Sequence, residues 1–320
     1  FAVLLQMHIA NRYRHRINTC FLCKAGRILR VGSSRTFTTG IADKADLAFA
    51  GNAICMRQFG NLRSFVDILV QRLARSVIHQ RGETAIQRHP AFIKRITVIK
   101  MRHDRYRCGL CQMLEHLAKA VGEKGHVYGV DPSEDQIAQA RGKCSDFENV
   151  SLLNSNADDI SLEQNSCNSV TSTQAFEYIK DIDAALHEAT RILISGGAFV
   201  NISILWDHFK FFGAEEKLNN RIHDTFRAHC SHQMLPMELT GKLARLGYRD
   251  IRNKSLAFVI TQRDQNSPAR YTEETVAFFA LNHGMSKTDV MDWRAQLSKA
   301  EEDGRFGFTS FPVLTSAFLS

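Results

Sequence analysis

The chain has 320 residues, 44% of them hydrophobic and 23% charged, with a formal net charge of +8. That length and composition fit one large or two ordinary globular domains with a sizeable core, and no apolar run approaches the ~18–20 residues that cross a bilayer, so no transmembrane helix is expected. The charge is uneven. Residues 1–107 hold 20 Lys and Arg against 5 Asp and Glu, while residues 108–320 hold 21 against 28.

The basic N-terminal third carries little periodicity. Residues 8–39 are rich in Arg, Ser and Thr, and the first acidic residue is Asp43, the composition of a mitochondrial transit peptide. The segment equally reads as a wrong gene start or fused frame, or as an accessory domain, and the leading Phe1 suits a fragment or processed chain. Phe65 to Ala74 has the spacing of an amphipathic helix, and Ile96-Thr97-Val98-Ile99 that of a strand. The arm lacks interleaved aromatics and any helix-turn-helix or zinc-finger pattern, so nucleic acid is not favoured as a partner. Eight scattered Cys fit a reducing, cytoplasmic setting. The pairs Cys20/Cys23 and Cys108/Cys111 stand 84 residues apart, far beyond zinc-ribbon spacing, and coincidence accounts for them; no metal is expected.

From residue 109 the pattern becomes regular. Cys111 to Val121 places apolar residues at 113, 114, 117, 118 and 121, one helical face, stopped by Gly122 and Gly125. Strand 126–130 follows. Ser133 with Gln136 has capping-box spacing for the next helix, which carries Ile137, Ala138 and Ala140 inward. Then come strand 149–153, a polar loop at 156–159, strand 169–173, a helix from Asp181 to Leu193 and strand 199–205. Strands alternating with helices imply a parallel, doubly wound α/β sheet with right-handed crossovers. In such sheets a ligand lies beyond the carboxyl ends of the strands, at the point where strand order reverses. Asp131 there can accept two hydrogen bonds from a ribose, Asn156 with the backbone of Ala157 can face an adenine edge, and Thr173-Gln174 can line the far end. Taken alone, Asp131 before Pro132 also reads as a turn residue and Asn156 as ordinary loop chemistry; the order and spacing of all three within one unit favour a site.

Over roughly residues 109–320 these motifs resemble the class I S-adenosylmethionine-dependent methyltransferases of the broad small-molecule group. Asn165 to Val200 is similar to that family's fourth strand, its Q-x-x-E-Y/H-x-x-D segment and the R-V-L-x-P-G-G turn before the fifth strand. Gly129-Val130-Asp131-Pro132-Ser133 is similar to its acidic ribose position, and Ala157-Asp158-Asp159-Ile160 to its adenine-side loop. The resemblance implies a Rossmann-like sheet closed by an antiparallel strand, assigned to Asp303–Phe311 after a helix beginning at Asp292-Trp293-Arg294. It implies S-adenosyl-L-methionine as cofactor and a small-molecule methyl acceptor. Gly109, Asp131, Gln136, Asn156, Ala157 and Gln174 form the candidate cofactor set, and no catalytic residue stands out.

The chain departs from the family at the loop after the first strand. Of the G-x-G-x-G pattern only Gly109 is present; Arg105 and Arg107 take the other glycine places, and Asp104 sits one residue out of register with the acidic position. Such glycines let backbone approach the cofactor closely, so Arg there would crowd it. This leaves a noncatalytic methyltransferase-like protein as the alternative, with a nicotinamide-dependent oxidoreductase behind it, since an acid after a second strand also reads a ribose but no G-x-G-x-x-G precedes Asp131. The domain plan is a basic extension over 1–107 and a methyltransferase-like domain over 108–320. Its acceptor lid is expected at 206–236, holding His223, His229, Cys230 and His232, with two further helices within 272–303.

Overall fold

The computed structural model describes residues 95–99, 109–264 and 267–320. The helix expected at 65–74, Cys20, Cys23, Cys108 and the loop residues Asp104, Arg105 and Arg107 lie outside them.

The β-branched run Arg95–Ile99 forms β1, the middle one of the five parallel strands in a seven-stranded sheet. It pairs in parallel with β2 (His126–Val130) on one side and β4 (Cys167–Thr173) on the other. β3 (Val150–Leu153) and β5 (Leu193–Ile204) extend the parallel set outward. Thus the parallel set takes its middle strand from the basic segment, and the strand expected at Ile96–Ile99 forms. Thr97, fully buried there, shares a hydrogen bond of 3.1 Å with Cys167 Sγ on β4.

Beyond β5 the order continues with β10 (Pro312–Leu319), antiparallel to its neighbours, and β7 (Tyr248–Ser255), giving β3-β2-β1-β4-β5-β10-β7. The closing antiparallel strand is therefore present but not where the sequence placed it. Residues 303–306 lead out of a helix, and Gly307–Ser310 (β9) joins a separate three-stranded sheet with β6 (Lys210–Phe212) and β8 (Phe258–Ile260).

Helices cover both faces. On one, α1 (Gly109–Val121) and α2 (Glu134–Lys143) bury Met113, Leu114, Leu117 and Ile137 against Val127, Val200 and Leu314. Gly129 makes the α1 approach possible: a Cβ there would stand 2.8 Å from Leu114 Cδ1. On the other, α3 (Ile182–Ile192) and α5 (Leu235–Arg245) pack Leu186, Ile192, Leu239 and Leu243 against Val170 and Phe199. Each fully buried Leu or Phe of this kind contributes roughly 1.5–3 kcal/mol. Asp181 caps α3, its carboxylate accepting from Ala184 N–H at 2.9 Å. α2 differs from expectation. Ser133 is its N-cap residue but makes no side-chain cap bond, Ala138 is exposed, and Gln136 turns inward, 4% exposed.

The remaining elements build a cap with its own core. α4 (Glu216–Arg227), α6 (Pro268–Asn282) and α7 (Lys287–Glu302) surround Phe211, Phe308 and Trp293. Trp293 lies within α7, which starts at Lys287 rather than at Asp292. Its Nε1–H donates to Asn219 Oδ1 at 2.9 Å, and Asn219 Nδ2 donates to Phe211 O at 2.8 Å, so the one polar atom of the largest core side chain is satisfied. Gly213, at φ +116°, lets the chain pass α7, where a Cβ would meet Ala300 Cβ at 2.4 Å.

Candidate active site

Five parallel strands put their carboxyl ends on one edge, and the strand order reverses between β1 and β4. The candidates from β2, β3 and β4 share that edge. Asp131 follows β2 directly and is 1% exposed. Its Oδ1 accepts from Ser133 N–H at 2.8 Å, which makes the turn into α2, and its carbonyl accepts from Asn154 Nδ2 at 3.1 Å. Asp131 thus holds the turn that leads into α2, while the helix start has no side-chain cap.

After β3, Asn156 is exposed and Ala157 buried. The loop is clamped from below: Glu188 Oε1 accepts from Ile160 N–H at 2.7 Å, and Arg191 Nη2 donates to Ile160 O and Leu162 O at 3.0 and 2.8 Å. Glu188 and Arg191 also pair at 2.7 Å, which holds the Glu188 carboxyl below its usual range and raises Arg191. Ser155 Oγ in this loop is buried with no hydrogen-bond partner. Gly109 opens α1, and Gln136 sits in the first turn of α2.

Gln174 ends β4 in the left-handed region at φ 49°, its N–H donating to Ile202 O at 2.7 Å. A non-glycine residue there costs of order 1–3 kcal/mol and persists only where surroundings hold it. The surroundings are a buried polar chain that the sequence did not reveal. Ser172 Oγ donates to Asn201 Oδ1 at 2.6 Å, Asn201 Nδ2 to Ser203 Oγ at 2.9 Å, and Ser203 Oγ to Glu177 Oε2 at 2.8 Å. All four are at most 1% exposed. Alternation along β5 explains it: Ala198, Val200 and Ile202 face α1, so Asn201 and Ser203 face the opposite side, toward the turn that carries Glu177.

That turn anchors the segment after α4. Glu177 O accepts from Ser231 and His232 N–H at 2.9 and 3.0 Å, and His232 Nε2 donates to Ile179 O at 2.9 Å. The His229-Cys230-Ser231-His232 run is therefore a turn docked on the Glu177 segment. Burial, then the Glu177 charge, pushes the Cys230 thiol up to about 12. No cluster of metal ligands occurs among the described residues.

Between this turn and the cap lies a pocket of about 140 Å³. His229 stacks on Phe226 with centroids 4.1 Å apart and meets Trp206 edge-on at 4.2 Å. Its Nδ1–H donates to Phe226 O at 2.6 Å. His223, also in the wall, accepts Phe211 N–H at Nε2 over 3.1 Å. Burial, with Lys210 adding to it, lowers His223 to about 4, so it is neutral near pH 7.

Residues 107–201 match the family described as Methyltransferase domain. The chain is 34% identical over 93 residues to demethylmenaquinone methyltransferase of Staphylococcus saprophyticus, covering 29% of this chain and 40% of that protein, and 36% identical over 93 residues to the Staphylococcus aureus MRSA252 protein of the same description, covering 29% and 39%. It spans about two fifths of the length of these curated relatives. Among solved structures, YcgJ of Bacillus subtilis is 16% identical over 72% of this chain and 94% of its own, with a TM-score of 0.45. The match to the methyltransferase-domain family thus falls on the stretch that builds α1, β2, β3, β4, α3 and most of β5 of this sheet.

Proposed function

We propose that this chain transfers a methyl group from S-adenosylmethionine to a small-molecule acceptor, and that the domain begins no later than β1. The observation that carries the reading is that the family match covers the strands whose carboxyl edge bears Asp131, Ala157 and Gln174. The residues present suit the cofactor. Asp131 is a buried carboxylate at the second strand's end, fitted to accept from ribose hydroxyls. The orphaned Ser155 hydroxyl beside Asn156 and Ala157 is a polar atom that a bound adenosine would satisfy. Gln174 and the backbone after β4 would line the amino-acid side, and Gly109 and Gln136 open the two helices that face the ligand edge. When bound, the cofactor supplies a methyl group already activated on a sulfonium. The protein's part is then to hold the acceptor in line and keep water out, which supplies most of the acceleration. The buried, free thiols Cys144 and Cys167 support a cytoplasmic setting, and no helix among the described residues is long and apolar enough to cross a membrane.

A noncatalytic reading is favoured by one observation, Arg105 and Arg107 in two glycine positions. Calorimetry of the full chain with S-adenosylmethionine and, in parallel, NADH tests both. Micromolar binding of the methyl donor alone supports the transferase; binding of neither supports the noncatalytic protein, and binding of NADH alone an oxidoreductase.

A further inference from the structure

Among the described residues, three that are not glycine hold a positive φ: Asn165, Gln174 and Asp250. Asn and Asp are enriched in the left-handed region, because their short polar side chains bond locally. Gln gains no such help. Gln174 is also the one of the three that stands at the carboxyl end of β4, beside the reversal of strand order. What holds it there is a two-sided clamp. Gln174 N–H donates to Ile202 O, and the buried polar chain brackets that bond. Ser172, just upstream of Gln174, is bonded to Asn201, the residue before Ile202. Glu177, just downstream of Gln174, is bonded to Ser203, the residue after Ile202. The bond from Asn201 Nδ2 to Ser203 Oγ joins the two arms.

The chain runs in one direction. Ser172 donates to Asn201, Asn201 to Ser203 and Ser203 to Glu177, so its last member must be an acceptor, and a carboxylate is the strongest that a side chain offers. We propose that Glu177 is a positioning residue for the methyl donor: by ending this chain it keeps the Gln174 backbone in its left-handed turn, the shape in which the segment after β4 lines the donor's amino-acid side. The proposal rests on the methyltransferase reading, since it is that reading which makes this edge a donor site. A turn set in advance spares the ligand the cost of ordering it, so a slackened turn weakens binding. The strain at a left-handed Gln sets the size of the effect, roughly tenfold in affinity.

Calorimetry of the full chain with S-adenosylhomocysteine tests it, at a temperature where the variants compared are folded. Glu177→Ala is expected to weaken binding roughly tenfold. Glu177→Gln still offers an oxygen to Ser203 and should weaken it by no more than about threefold. Glycine enters the left-handed region without steric cost, so in the Gln174→Gly background the clamp has no strain to oppose, and adding Glu177→Ala should change affinity by less than about twofold. A merely structural Glu177 would cost the same in both backgrounds. The cap segment docks on the Glu177 backbone carbonyl, which every variant keeps, and both tryptophans of the chain, Trp206 and Trp293, lie in or beside the cap, so unchanged tryptophan emission reports an intact fold. Ser203→Ala cuts the chain without removing a charge and should weaken binding about threefold to tenfold; it decides the question where Glu177→Ala does not fold. Equal losses from Glu177→Ala in the two backgrounds, or full affinity in Glu177→Ala or in Ser203→Ala, overturn the clamp. Failure of the unaltered chain to bind S-adenosylhomocysteine overturns the methyltransferase reading, and with it any role of the clamp toward a methyl donor.

Discussion

The Ser203 hydroxyl donates to Glu177 Oε2 over 2.8 Å and so ties the carboxyl end of β5 to the turn that follows β4. Both side chains are fully buried. Because the same turn begins with Gln174 and holds the segment after α4 through its Glu177 carbonyl, one residue links the candidate cofactor edge to the segment beside the cap, by its carboxylate on one side and its backbone carbonyl on the other.

Glu177→Ala should therefore cost more than its side-chain size suggests. It leaves Ser203 in a dry site without its acceptor, a penalty of about 1–3 kcal/mol per stranded polar group. Glu177→Gln keeps an oxygen in place and should cost less. Urea unfolding ranks the two, and equal midpoints would mean that the polar chain contributes nothing through this bond.

Asp131 has two separable tasks. As a turn residue its Oδ1 holds Ser133 N–H, and Asn at this place can do the same. As the ribose acceptor it needs a carboxylate's two acceptor oxygens. Asp131→Asn is expected to keep thermal stability but weaken S-adenosylmethionine roughly tenfold to a hundredfold, the worth of a charged hydrogen bond. Asp131→Ala should add a stability loss of about 1 kcal/mol for the lost turn hydrogen bond. Calorimetry beside thermal unfolding checks both, and unchanged affinity in both variants would remove Asp131 from the cofactor site.

His223 sets an acid limit on the cap. Its pKa is about 4 folded against 6.5 in the unfolded chain, so on acidification the unfolded state takes up the proton first. Stability conferred by the neutral ring is complete above about pH 6.5 and is lost progressively as pH falls toward 4, by up to about 3 kcal/mol. His223→Gln still offers an oxygen to Phe211 N–H and does not titrate. Thermal unfolding followed from pH 7 to 4 should fall less steeply for the variant; parallel curves would show that this histidine does not govern the acid limb.

These residues show how far the sequence could be read. Asp131-Pro132-Ser133 was legible because an apolar strand ending in an acid is a local pattern, and Ile96–Ile99 because β-branched residues cluster there. β7 was not: Tyr248–Ser255 is an outer strand whose residues are mostly exposed, so it lacks the alternation that marks a half-buried strand. The closing strand was misplaced because two apolar runs adjoin. Pro312–Leu319 is buried on both faces and reads as a featureless run, whereas Phe306 and Phe308 alternate and attracted the assignment, although both belong to the cap core. Glu177 was visible as a motif letter, but its partners Asn201 and Ser203 come from another strand, and nothing local announces such a pairing.

The cap depends on a second buried charge cluster. Arg263 Nε and Arg294 Nε both donate to Glu273, at 2.7 Å each, with the Arg263 and Glu273 side chains 1% and 0% exposed. Glu273 thus joins the start of α6 to α7 and to the segment after β8. Breaking a buried pair by removing one partner leaves an uncompensated charge and costs about 3–5 kcal/mol, whereas replacing the pair by apolar groups of similar size is often neutral. Glu273→Ala should therefore unfold the cap or lower its melting temperature sharply. Arg263→Met with Glu273→Leu should recover much of the loss, though Arg294, itself 37% exposed, then turns to solvent. S-adenosylhomocysteine binding at the sheet edge should hold in both variants even where the cap's melting shifts. A double variant no better than Glu273→Ala would mean that the geometry of the charged cluster, not charge compensation, is what the cap needs.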